Sequence, residues 1–424
     1  MLDLLQKESF EYFLCEVNPA NGLIADKNKP DWPASIAAVG LALAAYPVGV
    51  ERGFISREEA AAKTLASLRF FRNSAQGPEP DATGHKGFYY HFLDMSTGRR
   101  ASNCELSTVD TALLFSGVLT AAAYFTHDRE DENEIRQVAG HLYRRADWQW
   151  AANGNATVSM GWTPETGFLG YSWAGYDEAL ILYLLALGSP THALPAESYQ
   201  AWASTYQWRN IYGYEYLHAG PLFIHQLSHL WVDFRSIQDA FMRDRHSDYF
   251  ENSRRATYVQ REYAIRNPLG FEGYGGRCWG LTASDGPGPA IRTIRGRQVQ
   301  FFDYVARGVP DGPDDGTMAP WAVAASLPFA PEIVTPALEH FIHEVKLKEG
   351  NPYGFNATFN PTFHAAGSSA GWISPYCFGL NEGPIVLMVE NYRSEFLWKL
   401  MRRCTPIVRG LRRAGFTKGW LEDA

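Results

Sequence analysis

The chain has 424 residues, of which 46% are hydrophobic and 20% are charged; this balance is typical of a folded globular protein and excludes a disordered one. The formal net charge of −8 argues against nucleic acid or an anionic membrane as a partner, because both bind basic faces. The aromatic share of 14% favours a large core or a cleft that stacks flat ligands.

The cysteines and the apolar runs limit which metal or disulfide sites and which cellular compartment can be predicted. The five cysteines are odd in number, widely spaced and without a CxxC pair, so neither a zinc cluster nor a disulfide framework is predicted. The first residues, MLDLLQKESFEYFLCEV, carry acids early and predict an amphipathic helix, with no visible signal peptide. No apolar run reaches the roughly 18 residues that span a membrane. We therefore expect a soluble protein, cytoplasmic or periplasmic.

Apolar runs rich in small residues recur along the chain. Six such runs begin at Ser35, Thr111, Glu178, Pro221, Thr317 and Gly383. Amphipathic segments with one charged face separate them, and the basic segment KLMRRCTPIVRGLRRAG near the C-terminus predicts a solvated helix. Buried helices that alternate with half-exposed ones predict an inner ring wrapped by an outer ring. The predicted fold is therefore all-α: an (α/α)6 toroid, formed by residues 1–424 as a single domain. An α-solenoid is the alternative, but no fixed-period repeat supports it.

Carboxylates stand at the heads of several apolar runs. They are Asp110 before the second run, Asp177 and Glu178 at the third, Asp314 and Asp315 before the fifth, and Glu382 before the sixth. Each could be a helix cap that opposes the helix dipole. If the inner helices are parallel, however, these acids meet at one mouth of the ring. Paired carboxylates across a cavity are what glycoside hydrolysis requires.

These acids receive separate predicted roles. Glu178 is the predicted general acid, because burial beside an apolar helix and the adjacent Asp177 would raise its pKa. Asp110 is the predicted base or nucleophile, and Glu382 is a further candidate for a catalytic carboxylate. Asp314 and Asp315 are predicted to cap a helix and order a loop.

Long loops rich in Gly, Trp, Tyr and Asn lie before the inner runs, such as MGWTPETGFLGYSWAGY and NPYGFNATFNPTFHAAGSSAGWISPYCFG. Such loops either form a sugar-binding surface or pack on the rim of the ring. The predicted substrate-binding residues are Trp173, Tyr176, Asp177, His225, His229, Trp231, Arg235, Trp279 and Asp285. Arg235 could hold a carboxylate by a bidentate pair. His225 and His229 have a spacing that can bind a metal, but without an HExxH pattern or a third ligand no metal is predicted.

Several long segments resemble the bacterial glucoamylase-like domain family, from about residue 3 to residue 415. They are ELSTVDTALLFSGVLTAAAYF, GYDEALILYLLALGSPTH, GPLFIHQLSHLWVDFRSIQD, DYFENSRRATYVQREYAIRNP, GYGGRCWGLTASDGPG, DDGTMAPWAVAASLPFAPE and NEGPIVLMVENYRS. That family includes the endo-β-1,2-glucanases of glycoside hydrolase family 144, and related domains occur in cyclic β-1,2-glucan synthases. The resemblance implies an (α/α)6 toroid that acts on β-linked glucans, with Glu178 as general acid and Asp110 as a second functional carboxylate. In the characterised β-1,2-glucanases this second position is Glu within VETxFL, with an Asp three residues earlier; here the two residues are Asp110 and Ser107.

The resulting prediction is a glycoside hydrolase that acts on a β-linked glucan poly- or oligosaccharide, most simply β-1,2-glucan, without a cofactor. Endo or exo action and the oligomeric state stay open. The alternatives are a glucan transglycosylase, a hydrolase of another glycosidic linkage, a non-catalytic glucan-binding protein, or a polysaccharide lyase that abstracts a proton beside a uronate carboxylate.

Overall fold

Helices dominate the regular structure of the computed structural model, which describes residues 1–365 and 370–422. The α-helices are α1 (Leu2–Cys15), α2 (Ile36–Glu51), α3 (Arg57–Asn73), α4 (Thr108–Tyr124), α5 (Glu130–Arg145), α6 (Trp148–Ala151), α7 (Leu180–Gly188), α8 (Ala196–Ala203), α9 (Ala240–Asp244), α10 (Tyr249–Arg266), α11 (Pro320–Ala325), α12 (Pro331–His343), α13 (Gly379–Ser394), α14 (Phe396–Met401) and α15 (Thr405–Arg413). Short 3-10 helices cover Leu222–His225, Leu227–Leu230 and Gly419–Glu422. The prediction of a mainly helical chain is confirmed.

The fold also contains short strands, which the all-α prediction omits. They are β1 (Ala34–Ser35), β2 (Gly84–His85), β3 (Phe88–Tyr90), β4 (Phe92–Leu93), β5 (Leu106–Ser107), β6 (Gly161–Thr163), β7 (Gly167–Phe168), β8 (Trp208–Ile211), β9 (Tyr214–Leu217), β10 (Ala283–Ser284), β11 (Ala290–Ile294), β12 (Arg297–Phe301), β13 (Val305–Ala306), β14 (Phe359–Asn360) and β15 (Trp372–Ile373). One antiparallel sheet has the order β2–β3–β5–β6–β7, and the remaining strands pair as β1–β4, β8–β9, β10–β13, β11–β12 and β14–β15. Strands of two to five residues are too short to show the alternating pattern that identifies a strand.

The inner elements are almost wholly apolar and are buried on all sides. α2 packs on α4, α4 on α7, α7 on the second 3-10 helix, and α13 packs on both α11 and α2. The 3-10 segment reaches α11 through Gln226, whose side-chain amide donates to the carbonyl of Ala322 at 2.6 Å and to Ser326 Oγ at 2.8 Å. Each inner element therefore contacts its neighbours, and the last contacts the first.

The contact between α2 and α4 brings two backbones together. A Cβ atom on Gly117 would lie 1.9 Å from the carbonyl oxygen of Gly40, and a Cβ atom on Gly40 would lie 2.4 Å from the carbonyl oxygen of Leu113. Only glycine fits at these two positions, because real Cβ atoms do not approach other atoms so closely. The two helices are thus fixed to each other without an intervening layer of side chains.

Amphipathic helices surround the inner elements. α1 packs on α13, α3 on α5, α12 on α11 and α15 on α7. In α5 the buried side chains are spaced along one face, while acids occupy its first turn and arginines its last turn, in agreement with the helix dipole. α15 buries Ile407 and Leu411 and exposes its arginines, as expected for the basic C-terminal segment.

Two predicted inner helices differ from the structure. The run from Pro221 forms two 3-10 turns, because the amide groups of Leu222 and Phe223 donate to Leu281 and Thr282 and the backbone breaks at Gln226. The run from Glu178 becomes helical only at Leu180, so Glu178 lies in the preceding turn. Within 1–365 and 370–422, no helix combines the length and apolarity needed to cross a bilayer.

Candidate active site

Four carboxylates act electrostatically on the side chain of Tyr304, in the loop between β12 and β13. The negative charges of Asp26, Asp285, Asp110 and Glu178 each raise the pKa of Tyr304. Tyr304 is 58% exposed, so solvent reaches the side chain on which these four carboxylates act. We call Asp26, Asp110, Glu178 and Asp285 the carboxylate cluster.

Glu178 occupies the turn that leads into α7. Burial raises its pKa to about 8, and the charges of Asp177 and Asp110 contribute further. At neutral pH this carboxyl therefore holds its proton and can donate it.

Asp177 holds the same turn in place. Its Oδ1 accepts hydrogen bonds from the indole nitrogen of Trp202 and the amide of Ala179, both at 3.0 Å. Burial raises its pKa to about 7. Trp202 and Ala179 engage Oδ1 alone, so the substrate contact predicted for Asp177 stays a prediction.

Asp110 lies in the first turn of α4. Ser107 is the N-cap of this helix: its Oγ accepts from the amide of Asp110 at 3.2 Å and donates to Asp110 Oδ2 at 2.5 Å. His91 Nε2 lies 3.6 Å from the same Oδ2, while His91 Nδ1 lies 2.9 Å from Glu105 Oε1. Burial lowers the pKa of His91, but Asp110, Glu105 and Asp26 outweigh this effect and raise it to about 9. A cationic His91 therefore lies beside Asp110 at neutral pH.

Asp285 and Asp26 complete the cluster. Asp285 accepts hydrogen bonds from Thr358 Oγ1 at 2.8 Å and from the hydroxyl of Ser374, and burial raises its pKa. Asp26 Oδ2 accepts from the indole nitrogen of Trp32 at 3.0 Å, and burial raises its pKa as well. Asp285 is a predicted substrate-binding residue that the structure brings to the cluster.

A buried ion pair supports the loop that carries Tyr304. Arg307 and Asp315 are both fully buried, and two guanidinium nitrogens of Arg307 donate to Asp315 at 2.8 and 2.9 Å. Arg307 also donates to the carbonyls of Ser284 at 2.7 Å and Phe302 at 3.2 Å. Asp315 thus orders a loop, as predicted. Asp314 accepts from two tyrosine hydroxyls, at 2.8 and 2.7 Å, and is likewise structural.

Glu382 lies apart from the carboxylate cluster. It is 1% exposed in the first turn of α13, where its neighbours are Ser9 and Glu8 of α1, and burial raises its pKa well above the ordinary value. A side chain with so little exposure cannot contact a glucan. The prediction of Glu382 as a third catalytic carboxylate is therefore corrected to a core position.

The predicted histidines and one arginine have partners within the protein. His225 Nε2 lies 3.1 Å from the carbonyl of Ala219, and His229 Nε2 lies 3.0 Å from Ser253 Oγ. Both rings are 1% exposed, and burial lowers the pKa of each to about 3, so both are neutral. Arg235 forms a bidentate pair, but with Asp233 of its own chain. No grouping of three or more His, Cys, Asp or Glu in the described ranges is arranged to hold a metal.

The predicted aromatic platforms are packed in the interior. Trp231 and Trp279 are fully buried, and Trp173 and Tyr176 are less than 10% exposed. The Trp173 indole donates to Thr108 Oγ1 at 3.0 Å, which joins the loop before Glu178 to α4. Trp231 and Trp279 are therefore packing residues, whereas the substrate contacts predicted for Trp173 and Tyr176 stay predictions. In the last of the aromatic loops, residues 366–369 lie outside the described residues.

Asp26, His91 and Tyr304 are the site residues that sequence reasoning misses. Asp26 is separated from α2 by strand β1, so it does not head an apolar run. His91 follows a strand of three residues, and Tyr304 lies in a polar loop. Only the short strands bring them to the carboxylates that head the inner helices.

Comparisons with known proteins agree with this geometry. Residues 170–405 match the family model Glycoamylase, described as "Putative glucoamylase". The crystal structure of a Bacteroides uniformis protein with the same description is 32% identical, covers 99% of this chain and 98% of its own, and has a TM-score of 0.87. An endo-β-1,2-glucanase from Chitinophaga pinensis, solved with sophorotriose and glucose, is 27% identical, covers 99% and 98% of the two chains, and has a TM-score of 0.84.

A longer relative is also similar. The exo β-1,2-glucooligosaccharide sophorohydrolase (non-reducing end) of Parabacteroides distasonis is 29% identical over 448 residues. The alignment covers 97% of this chain, which spans 57% of the length of that relative.

Proposed function

This chain belongs to the Glycoamylase family, and from that premise we propose that it is a glycoside hydrolase that cleaves β-1,2-linked glucan. The observation that carries the proposal is the contrast between two carboxyls that interact electrostatically. Glu178 is held protonated by burial, while Asp110 lies beside a cationic histidine. Such a division is what hydrolysis of a glycosidic bond requires. Support for the linkage comes from the relatives named for β-1,2-glucan, at 27 and 29% identity.

In the proposed mechanism Glu178 gives its proton to the glycosidic oxygen as the bond to the anomeric carbon breaks. Asp110, as a carboxylate, either takes a proton from the attacking water or attacks the anomeric carbon itself. Asp26, Asp285 and the exposed Tyr304 would bind sugar hydroxyls around the reacting bond. No metal and no cofactor take part in these steps.

The proposed architecture is an (α/α)6 toroid, a single domain over residues 1–424. Support comes from the inner elements, each of which contacts its neighbours, and from the amphipathic helices packed outside them. Asp110 lies in the first turn of one inner helix and Glu178 lies just before another. In a ring of parallel inner helices both would lie at the same end.

The test of function compares linear and cyclic β-1,2-glucan, laminarin and starch as substrates, with products separated by size and their anomers assigned by NMR. We expect cleavage of at least one β-1,2-glucan and none of starch. Release of unsaturated products would indicate a lyase, and binding without cleavage would indicate a glucan-binding protein. Either outcome would overturn the proposal.

The pH dependence of the reaction follows from the position of Glu178. Glu178 acts only while protonated, and its pKa is about 8, so kcat/KM is expected to fall as the pH rises through about 8. Asp177 is the second cause of this raised pKa, after burial. Asp177→Asn removes the charge and leaves a carbonyl that can accept from Trp202, so the basic limb should move to lower pH. The measurement is kcat/KM against pH for both proteins. If the basic limb does not move, it belongs to a group other than Glu178.

A further inference from the structure

His91 joins two carboxyls that belong to different elements. Strands β3 and β5 pair antiparallel, with Tyr90 opposite Leu106, and this places His91 beside Glu105. The amide of His91 donates to the carbonyl of Glu105 at 3.0 Å, so the backbone fixes the pair as well. β5 runs directly into α4, which carries Asp110. The sheet therefore aligns Glu105, His91 and Asp110 in a row.

The distances along this row indicate that Glu105 fixes His91 and that His91 in turn faces Asp110. His91 Nδ1 lies 2.9 Å from Glu105 Oε1, which fixes the ring, and Nε2 points to Asp110 Oδ2 at 3.6 Å. Ser107 donates to the same Oδ2. Within the described parts of the chain, Asp110 Oδ1 has no hydrogen-bond partner in the protein. The Asp110 side chain is 12% exposed, so a small part of it reaches solvent.

The charges around the row come from several elements. Asp26 acts on both His91 and Asp110 electrostatically, and Lys27 acts on Asp26. Glu178, in the turn before α7, and Tyr304, in the β12–β13 loop, interact electrostatically with Asp110, and the thiol of Cys104 interacts with both Asp110 and Glu105. Asp110 is therefore surrounded mainly by acids, and His91 is the cation that directly faces it.

We propose that His91 is a positioning residue, held by Glu105, that holds the side chain of Asp110 with its free oxygen directed towards the reacting centre. The inference rests on the proposed function, because it assigns His91 a part in that same reaction. Without the histidine, Ser107 would be the remaining partner at Asp110 Oδ2, and the carboxylate would turn more freely about its side-chain bonds.

Two variants and a control test the proposal. His91→Gln keeps a hydrogen-bonding side chain but removes the charge, and His91→Lys restores a cation. His85→Gln is the control, since His85 lies in the same sheet and stacks on Trp162 with ring centroids 5.0 Å apart. We expect kcat to fall by about 10-fold with KM nearly unchanged in His91→Gln, with partial return in His91→Lys and no change in His85→Gln. An unchanged kcat in His91→Gln, or an equal loss in His85→Gln, would overturn the proposal.

A second measurement separates this proposal from the proposed function. Titration of His91, labelled at Cε1 and followed by NMR, needs no substrate. Asp110→Asn and Glu105→Gln should each lower the pKa of His91 from about 9 towards its ordinary value. If no glucan is cleaved but both shifts occur, the row of three groups exists and only the reaction is wrongly assigned. If neither shift occurs, the row itself is wrong.

Discussion

Glu178→Gln is expected to lower kcat on β-1,2-glucan by about 10³-fold while substrate binding is retained. Glutamine has nearly the same shape but no proton to give to the glycosidic oxygen. The loss should be much smaller on an aryl β-sophoroside, because a good leaving group departs without protonation. The measurement is kcat and KM for both substrates, with binding to the variant followed by calorimetry.

Glu165→Gln is the matched control for this prediction. Glu165 is 49% exposed and pairs with Arg100, so its loss should leave kcat nearly unchanged. Equal losses on the natural and the activated substrate would contradict the role of Glu178 as proton donor. They would instead identify Glu178 as a group that acts on the sugar or on water.

Asp315→Asn should lower the free energy of unfolding by about 3–5 kcal/mol, because it leaves the buried guanidinium of Arg307 without its carboxylate. Both side chains are fully buried, and Asp315 also accepts from the amide of Phe302 at 2.9 Å. The loss should appear as a lower urea midpoint at unchanged slope.

The exposed pair between Arg209 and Asp311 provides the comparison. Its nitrogen and oxygen lie 2.7 Å apart, but the two side chains are 36% and 65% exposed. Asp311→Asn should cost less than about 1 kcal/mol, because water screens the pair and replaces it. Similar midpoints for the two variants would show that burial does not govern the strength of the Arg307–Asp315 pair.

Sequence periodicity locates the residues that head buried helices. Asp110 and Glu178 are visible because a carboxylate beside an apolar run is chemically conspicuous, and the loop containing Asp285 is conspicuous for its glycines and aromatics. The same rule selects Glu382, which heads an inner helix but points into the contact with α1. Periodicity gives the position of a residue along a helix, but not which neighbour its side chain meets.

The strands account for most of what sequence reasoning misses. Glu105 stands just before β5 and α4, but His91 belongs to a separate segment, and the pairing of β3 with β5 brings the two together. The pairing of strands from separate segments depends on tertiary contacts, which the sequence of either segment alone does not predict. The histidines at 225 and 229 mislead for the opposite reason: their helical spacing is conspicuous, but the segment forms 3-10 turns and the Nε2 atom of each ring has a partner within the protein.

The glycine contact between α2 and α4 determines which parts of the site are free to move. Packed helices slide past each other by small rearrangements of interlocking side chains. At Gly40 and Gly117 there are no such side chains, so we expect the two helices to resist shear and to move together. Asp110 lies in α4, whereas Glu178 lies in a turn and Tyr304 in a loop. We therefore expect a change in the distance between the two carboxyls to come mainly from displacement of Glu178.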